Sequence, residues 1–300
     1  MITATTIAEV RAVCDDARGR GGTVGFVPTM GFFHEGHRSL MRAARAAHGV
    51  VVVSLFVNPT QFGPAEDLDA YPRDLAADTA VAVAEGVDVL FTPTVSEMYP
   101  EGACTSVHVA GLTEALCGAS RPTHFDGVTT VVTKLFSIVG PCTAYFGRKD
   151  AQQLAVVRRM ATDLRLAVDV VGCPLVREPD GIAMSSRNAF LSPDDRCRAT
   201  VLVRALRAAA DAVGAGERDA ATVRAAMVAT LSTEPLVRVD YAEVVDAATL
   251  RSVDRIDRDT LVALAAFVGT TRLIDNIGIS FDGDRVAVEQ GHTTVHAEES

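Results

Sequence analysis

The sequence lacks the features that mark several large classes of protein. Its six cysteines, at positions 14, 104, 117, 142, 173 and 197, include no C-x-x-C pair and form no dense framework, which disfavours a disulfide scaffold. No apolar run approaches the roughly 20 residues that span a bilayer, and no basic stretch followed by an apolar core opens the chain. We therefore expect a cytoplasmic protein with reduced thiols and no membrane partner.

The chain also has fewer basic than acidic residues. The chain carries 28 Lys and Arg residues against 38 Asp and Glu residues, which gives a formal net charge of −10. An extended nucleic-acid interface needs a basic patch or stripe, so we expect no nucleic-acid partner, and a tRNA-charging enzyme is disfavoured. A small anionic ligand needs only a local cluster of positive groups. With 300 residues and 48% hydrophobic residues, the chain can bury a large core in one or two domains.

The common nucleotide-binding fingerprints are absent as well. No Walker P-loop occurs, and none of the glycines at 19, 21, 22 and 25 follows the first strand pattern, so the dinucleotide-binding pattern is missing. No Ser or Cys has an evident His partner and oxyanion motif. A bound nucleotide must therefore be held in another way, and no covalent nucleophile is indicated.

What the chain does contain is the motif His34-Glu35-Gly36-His37. Residue patterns predict a strand over 23–29, a helix over 35–47 and a second strand over 50–57, which together form a βαβ unit. The loop after the first strand of such a unit opens onto a helix N-terminus that attracts anions. Two imidazoles there predict a phosphate site, although a lone histidine at this position is more often a helix cap or a surface residue. The histidines are three residues apart, which does not fit the zinc-protease helix.

The remaining patterns predict an α/β fold with a Rossmann-like parallel sheet and a smaller C-terminal α+β domain. Further expected elements of the sheet domain are a helix at 72–84, strands at 87–92 and 106–109, a helix at 128–139, a strand at 143–146, a helix at 151–164 and a strand at 167–172. Beyond a polar loop over 177–192, we expect helices at 193–213 and 218–231 and a small antiparallel sheet from the apolar runs 237–245, 261–268 and 272–279. The expected domains are residues 1–176, a lid-like domain over 177–284, and a polar tail over 285–300.

Two further polar segments suit a phosphate site. The loop Met184-Ser185-Ser186-Arg187-Asn188 offers hydroxyls and a guanidinium that can wrap a polyphosphate, although it can also be a simple helix cap or turn. Lys149 follows a predicted strand at the carboxyl end of the sheet, where ligands bind in open α/β folds, but a lysine there is often merely solvated. With the two histidines, these groups are the equipment for stabilising a polyphosphate as its α-phosphorus is attacked.

Neutral amides point to a second ligand. Gln61 lies in the segment 58–61 that ends the second predicted strand, and Gln153 lies one turn into the helix after Lys149. Either glutamine could be a surface residue. An amide offers donors and an acceptor together, so the pair suits a ligand with hydroxyls and a carboxylate.

In order and spacing, these motifs resemble the pantothenate synthetase family. The segments that carry the resemblance are Pro28-Thr29-Met30-Gly31, His34-Glu35-Gly36-His37, Phe56-Val57-Asn58-Pro59, Gln61-Phe62, Tyr71-Pro72-Arg73, Arg121-Pro122-Thr123-His124-Phe125, Lys149-Asp150, Gln152-Gln153 and Met184-Ser185-Ser186-Arg187-Asn188. The resemblance covers roughly residues 1–280. The H-x-G-H element alone belongs to a broad nucleotidyltransferase superfamily, whereas the other segments are specific to this family.

The resemblance implies a homodimeric ligase that joins pantoate to β-alanine using ATP with magnesium, through a pantoyl adenylate, and releases pyrophosphate and AMP. It implies phosphate contacts for His34, His37, Lys149, Ser185 and Arg187. It implies further ATP contacts for Met30, Gly147, Asp150, Met184 and Ser186. Pantoate would be held by Gln61 and Gln153 and surrounded by Pro28, Asn58, Tyr71, Val131 and Val132. The candidate magnesium ligand is Asp78.

The chain departs from the family pattern near the acyl site. Arg148 and Ala151 flank the Lys-Asp pair where the family usually has Glu and an aromatic residue, and Phe32, Phe33 and Thr60 stand where Ala, Leu and Met are common. These changes leave the ATP-handling set intact. A paralogue that uses another acid or amine therefore stays open, as do a simple nucleotidyltransferase and a nucleotide-binding sensor whose chemistry has decayed.

Overall fold

The computed structural model describes residues 1–63, 68–283 and 285–294. The described residues divide into two compact units, of which the first contains those within 1–113, 121–148 and 153–173, and the second contains 114–120, 149–152 and the described residues from 174 onward. The expected division at 176/177 is close to the change at 173/174. The two short segments of the second unit that come earlier in the chain have no counterpart in the expected linear division.

The first unit is built on a six-stranded parallel sheet in the spatial order β1-β4-β3-β2-β5-β6. Its strands are β1 Ile2–Ala4, β2 Val24–Thr29, β3 Val50–Leu55, β4 Val89–Phe91, β5 Cys142–Gly147 and β6 Val168–Cys173. Because the strand order reverses at β2, the carboxyl ends of β2 and β5 flank a topological switch point, the place where open α/β sheets bind ligands. The predicted Rossmann-like parallel sheet is confirmed.

The α-helices follow from capping and apolar spacing. They are α1 Ile7–Gly19, α2 Glu35–Ala47, α3 Leu75–Ala84, α4 Val95–Met98, α5 Cys117–Ser120, α6 His124–Val139, α7 Ala151–Asp163, α8 Pro193–Gly214 and α9 Ala220–Leu231. Helix α2 has the bounds that its pattern predicts, and it buries Leu40, Met41 and Ala44 in one cluster with Val27 and Val53 of the sheet. Burial of such side chains stabilises the helix by roughly 1.5–3 kcal/mol for each large residue.

The second unit contains the predicted antiparallel sheet. Its strands are β8 Val237–Asp246, β9 Thr260–Val268, β10 Thr271–Asp282 and β11 Arg285–Glu289, in the order β11-β10-β9-β8, and the short strands β7 Val176–Arg177 and β12 His292–Thr293 pair in parallel. Helices α8 and α9 cover the sheet with Leu206 and Met227, which share one apolar core with Leu264 and Ile277.

Two predictions about single elements are wrong. Residues 106–109 form no strand, because the backbone of Val107 bonds instead with the hydroxyls of Thr129 and Thr130 in α6. The expected tail begins with strand β11, whose alternating residues pair with β10, while 295–300 lie outside the described residues. Among the described residues, none of the helices combines the length and apolar character that a bilayer crossing requires.

Candidate active site

The H-x-G-H segment forms the N-terminal cap of α2. His34 is the N-cap residue, and its Nδ1 accepts a hydrogen bond from Gly36 N at 3.1 Å, while His37 Nδ1 accepts from His34 N at 3.3 Å. This reciprocal arrangement is a capping box in which imidazoles replace the usual hydroxyl and carboxylate. The helix-cap interpretation and the phosphate interpretation are therefore compatible, because each ring uses one nitrogen for the cap.

The cap also indicates which nitrogen of each imidazole carries the proton. A neutral imidazole has one acceptor and one donor nitrogen, and both Nδ1 atoms are acceptors here, so the proton is assigned to Nε2 of His34 and of His37. The two rings lie with their centroids 4.1 Å apart, and His37 also contacts the ring of Phe33 at 5.6 Å. Two Nε2–H donors at the N-terminus of a helix are suited to an anion.

A buried carboxylate shapes the loop that leads to these histidines. Asp78 of α3 is 2% exposed, and its two oxygens accept from Phe32 N at 2.8 Å and Phe33 N at 2.6 Å. Gly31 and Phe32 adopt φ angles of 88° and 54°, in the left-handed region that favours glycine. A Cβ at Gly31 would lie 2.9 Å from the Asp78 carboxylate, so the loop closes tightly on that group.

These contacts do not fit the predicted role of Asp78 as a magnesium ligand. Burial raises the pKa of its carboxyl above the usual 3.8, against the lowering effect of the Phe33 and Phe32 donors. A side chain that is withdrawn from solvent and holds two backbone donors is a support for the loop, whereas Mg²⁺ keeps much of its water and binds exposed oxygens. Within the described residues, no group of three or more His, Cys, Asp or Glu side chains could hold a metal ion.

The amides predicted to bind the acid form a connected network in the first unit. Asn58 follows β3 and begins the short 3₁₀ turn Pro59–Gln61. Its Nδ2 donates to Gln61 Oε1 at 3.3 Å and to Gly127 O at 3.1 Å, and Gln61 Nε2 lies 2.9 Å from Met30 Sδ. The structure thus brings together Met30, which the sequence analysis assigns to ATP, with Asn58 and Gln61, which it assigns to pantoate.

Helix α6 approaches this turn very closely. A Cβ at Gly127 would lie 2.4 Å from Thr60 O and 2.6 Å from Gln61 N, so only glycine permits the observed distance. Val131 and Val132 lie one turn further along α6 and are buried, as is Tyr71, whose ring contacts Phe62 edge-on at 6.0 Å. Pro28 lies in β2, one residue before the strand ends.

The predicted residues at the end of β5 follow one another along the chain. Gly147 is the last residue of β5, and a Cβ there would meet no atom within 4 Å. Lys149 and Asp150 belong to the second unit, where Lys149 Nζ lies 3.6 Å from Asp150 Oδ1 and the Lys149 carbonyl accepts from Asn276 Nδ2 at 2.8 Å. Gln153 lies in the first turn of α7 and is partly exposed.

The Met184–Asn188 segment is the start of a 3₁₀ turn in the second unit. Ser185 caps this turn, because its hydroxyl accepts from Arg187 N at 3.3 Å, and Met184 N donates to Val176 O at 3.0 Å. Asn188 Nδ2 donates to Glu178 Oε1 at 2.5 Å, whereas the buried Asn188 Oδ1 has no hydrogen-bond partner among the described residues. The segment has the cap geometry that was weighed against phosphate binding, and a capped turn also presents the Ser186 and Arg187 side chains in a fixed order.

Two members of the amide network were missed as site residues. Thr60 was noticed only as a departure from the family pattern, and Tyr99 was not noticed at all. Tyr99 directly follows the short helix α4, far from β3 in the chain, and no local pattern predicts that its hydroxyl reaches Asn58. For Thr60, its position two residues after an asparagine at a strand end was the available signal, because Asx turns form at that spacing.

Comparisons with known proteins agree with one another. The family described as pantoate-beta-alanine ligase matches residues 2–278. A pantothenate synthetase of Acetivibrio thermocellus is 53% identical over 272 residues, which is 91% of this chain and 97% of that protein. The pantothenate synthetase of Heliobacterium modesticaldum is 56% identical over the same length and covers 91% and 97% of the two chains.

Solved structures show the same similarity. A pantothenate synthetase from Thermus thermophilus superimposes with a TM-score of 0.87 at 48% identity, covering 92% of this chain and 98% of that one. A pantoate-beta-alanine ligase from Francisella tularensis, complexed with beta-gamma ATP and beta-alanine, gives a TM-score of 0.75 at 32% identity, with 92% and 97% coverage.

Proposed function

Because this chain belongs to the pantoate–β-alanine ligase family, we propose that it joins pantoate to β-alanine in an ATP-dependent reaction that passes through pantoyl adenylate. The observation that carries the proposal is the capped start of α2, where the Nδ1 atoms of His34 and His37 both accept hydrogen bonds in the cap, which assigns the ring protons to Nε2. It follows β2, one of the two strands at the switch point of the sheet.

In the first step, a carboxylate oxygen of pantoate attacks the α-phosphorus of ATP, and the bond to pyrophosphate breaks. Negative charge is carried by the oxygens around the α-phosphorus and grows on the leaving pyrophosphate, so preorganised donors lower the barrier. We assign this role to His34 and His37, together with Lys149, Ser185 and Arg187. The remaining contacts to ATP in this proposal come from Met30, Gly147, Asp150, Met184 and Ser186.

In the second step, the uncharged amine of β-alanine attacks the acyl carbonyl of the adenylate. The C–N bond forms, the bond to AMP breaks, and the nitrogen gives one proton to solvent. Holding the acid in a fixed orientation is the main requirement, because the first step uses an oxygen of its carboxyl group and the second step uses the carbon of the same group. We assign this to Gln61 and Gln153, within a pocket that also includes Pro28, Asn58, Tyr71, Val131 and Val132.

Magnesium enters this proposal with ATP. Its ligands are then phosphate oxygens and water, which Mg²⁺ prefers, and not Asp78, whose carboxylate is used by the loop backbone. We further propose that the protein is a cytoplasmic homodimer. Its six cysteines are free thiols, which suits a reducing compartment.

The proposal is tested by measuring pyrophosphate and AMP release from ATP across a panel of hydroxy acids, with and without β-alanine. We expect pyrophosphate with pantoate alone, and AMP with an amide product of the expected mass only when β-alanine is added. A preference for a different acid would indicate a paralogue with changed specificity. Pyrophosphate release without any amide product would indicate a simple nucleotidyltransferase and would contradict the ligase assignment.

A further inference from the structure

Asn58 is only 1% exposed, and three donors converge on its side-chain oxygen. Asn58 Oδ1 accepts from Tyr99 OH at 2.9 Å, from Thr60 Oγ1 at 3.0 Å and from Thr60 N at 3.3 Å. The Thr60 and Tyr99 hydroxyls also lie 3.2 Å from each other. An amide oxygen has two lone pairs, so this acceptor is fully used.

The orientation of the Asn58 amide is fixed by groups that can play only one role. The Thr60 backbone N–H is only a donor, so it must face the oxygen of the amide. The Gly127 carbonyl is only an acceptor, so it must face the nitrogen. A flipped amide would oppose donor to donor and acceptor to acceptor in a buried place, where an unpaired polar group is strongly unfavourable.

The orientation of the Asn58 amide determines whether the oxygen or the nitrogen of the Gln61 side-chain amide is turned toward a ligand. Because Asn58 presents its NH₂ to Gln61, the Gln61 oxygen is the bound end of that amide. The Gln61 nitrogen then points to Met30 Sδ, and a thioether is a weak acceptor that a better one can replace. The backbone carbonyl of Gln61 accepts from His124 Nδ1 at 2.8 Å and from Arg121 Nη2 at 3.2 Å, so the backbone of this residue is held in place as well.

We propose that Thr60 and Tyr99 are positioning residues that fix the Asn58 amide and, through it, make Gln61 a hydrogen-bond donor toward the acid substrate. The proposal rests on the proposed function, in which Gln61 binds that acid. It makes the site selective for an acid that offers an oxygen acceptor at this point, such as a carboxylate or a hydroxyl oxygen. Thr60 is then a functional member of the site and not a neutral departure from the family pattern.

The surroundings of Tyr99 keep its hydroxyl in the donor form. Burial raises the pKa of Tyr99 above its usual 10, although the bonds with Thr60 and Asn58 act in the opposite direction. Lys134 Nζ lies 4.7 Å above the Tyr99 ring and donates to Met98 O at 2.9 Å, so this side of the ring is packed by a fixed cation. Tyr99 therefore remains protonated over the whole neutral range.

The first test compares steady-state kinetics of the wild type with Tyr99→Phe and Thr60→Val, each of which removes one hydroxyl at nearly constant volume. A net hydrogen bond contributes a fraction of a kcal/mol to about 1.5 kcal/mol, so we expect KM for pantoate to rise roughly 2- to 12-fold, more for Tyr99 than for the exposed Thr60. KM for ATP and the thermal midpoint should stay near wild type. Thr60→Ser keeps the hydroxyl, so its KM for pantoate should stay near the wild-type value.

Tyr145→Phe is the matched control, because its hydroxyl is also partnered, to His48 Nε2 at 2.9 Å, but lies outside this network. It should leave KM for pantoate unchanged. Equal changes in both KM values for Tyr99→Phe, or an equal effect of Tyr145→Phe on pantoate, would mean that Tyr99 merely supports the fold and would overturn the proposal.

A double-mutant cycle with Gln61→Ala separates this proposal from the one it rests on. If Tyr99 acts through Gln61, Tyr99→Phe should add almost nothing to KM for pantoate once Gln61 is alanine. Additive effects would overturn the positioning role while leaving Gln61 as an acid-binding residue. If Gln61→Ala itself leaves KM for pantoate unchanged, the assignment of Gln61 under the proposed function fails, and the positioning role fails with it.

Discussion

Asp78 in the first unit and Asp275 in the second are both withdrawn from solvent, at 2% and 3% exposure, but they are satisfied in different ways. Asp275 receives a bidentate pair of bonds from the buried Arg177, at 2.7 and 3.0 Å. Asp78 receives two backbone N–H groups from the loop before His34. Burial raises the pKa of both carboxyls, and Arg177 opposes that rise only at Asp275.

The difference shows two uses of a buried carboxylate. The Arg177–Asp275 pair supports the fold, since Arg177 Nε also donates to Gln290 O just before strand β12. The Asp78 carboxylate supports a functional loop, because it holds a left-handed backbone that brings His34 to the start of α2. Changes at Asp275 or Arg177 should therefore affect stability first, and changes around Asp78 should affect activity as well.

The largest stability effect should come from Arg177→Met. Removal of one partner from a buried ion pair leaves an uncompensated charge and costs roughly 3–5 kcal/mol, which urea-induced unfolding measures directly. The control is Arg159→Met, because Arg159 pairs with Asp163 on the surface, where an ion pair contributes little. Equal destabilisation by the two substitutions would contradict the assigned role of the buried pair.

A catalytic effect of similar size is expected from His34→Ala and His37→Ala. Removal of one preorganised donor commonly lowers the rate roughly 10²- to 10³-fold, and pantoate-dependent pyrophosphate release measures this. His34→Asn sharpens the test, because asparagine is a good N-cap residue and keeps the cap without Nε2. If His34→Asn turns over at the wild-type rate, His34 is only a helix cap and its phosphate contact is disproved.

A smaller combined effect is expected from Asp78→Asn. The amide replaces one acceptor oxygen with a donor that faces a backbone N–H, which costs roughly 1–3 kcal/mol and moves the loop before His34. We expect a lower thermal midpoint and a lower kcat, with the dependence on Mg²⁺ concentration unchanged. A shift in the Mg²⁺ dependence at unchanged stability would instead restore Asp78 as a metal ligand.

Gln61→Ala and Gln153→Ala should separate the acid from the nucleotide. Their amides are assigned to pantoate, so each substitution should raise KM for pantoate by about tenfold or less and leave ATP binding almost untouched. Isothermal titration calorimetry with a non-hydrolysable ATP analogue measures the affinity for the nucleotide separately. Loss of ATP affinity in either variant would mean that these residues are assigned to the wrong ligand.

The smallest effects concern the departures beside Lys149. Arg148 Nε donates to Gly172 O at 3.3 Å, so this charge is held against the carboxyl end of β6. We expect Arg148→Glu to change ATP binding modestly and Ala151→Tyr to change the ratio of kcat/KM for pantoate and close hydroxy-acid analogues. If Arg148→Glu alone changes which acid is used, charge and not pocket shape governs selectivity.

Local signals in the sequence were sufficient for much of the fold. The spacing of Leu40, Met41 and Ala44 predicted helix α2 with the observed bounds, and alternation along the chain predicted the parallel sheet. Strand β1 and helix α1 were missed, although Thr6 and Glu9 carry the Thr-x-x-Glu signature of a capping box. Strand β11 was missed as well, although its residues alternate between polar and apolar as a half-buried strand does.

Long-range contacts were beyond sequence reasoning. Nothing in the local sequence around Asp78 shows that residues 46 and 45 positions earlier supply its two donors. Tyr99 was overlooked for the same reason, since its bond to Asn58 joins residues 41 positions apart. Local pattern predicts which segments are helices or strands, whereas the partners of a buried polar group depend on the packing of segments that are distant in the chain.

Pantoate-dependent exchange of labelled pyrophosphate into ATP, measured without β-alanine, tests the proposed reaction most directly. An enzyme that forms pantoyl adenylate must run its first step in both directions before any amine is present. We predict exchange that requires pantoate, and a loss of roughly 10²-fold or more in His34→Asn. The absence of exchange in a wild-type enzyme that still makes the amide would contradict the adenylate intermediate.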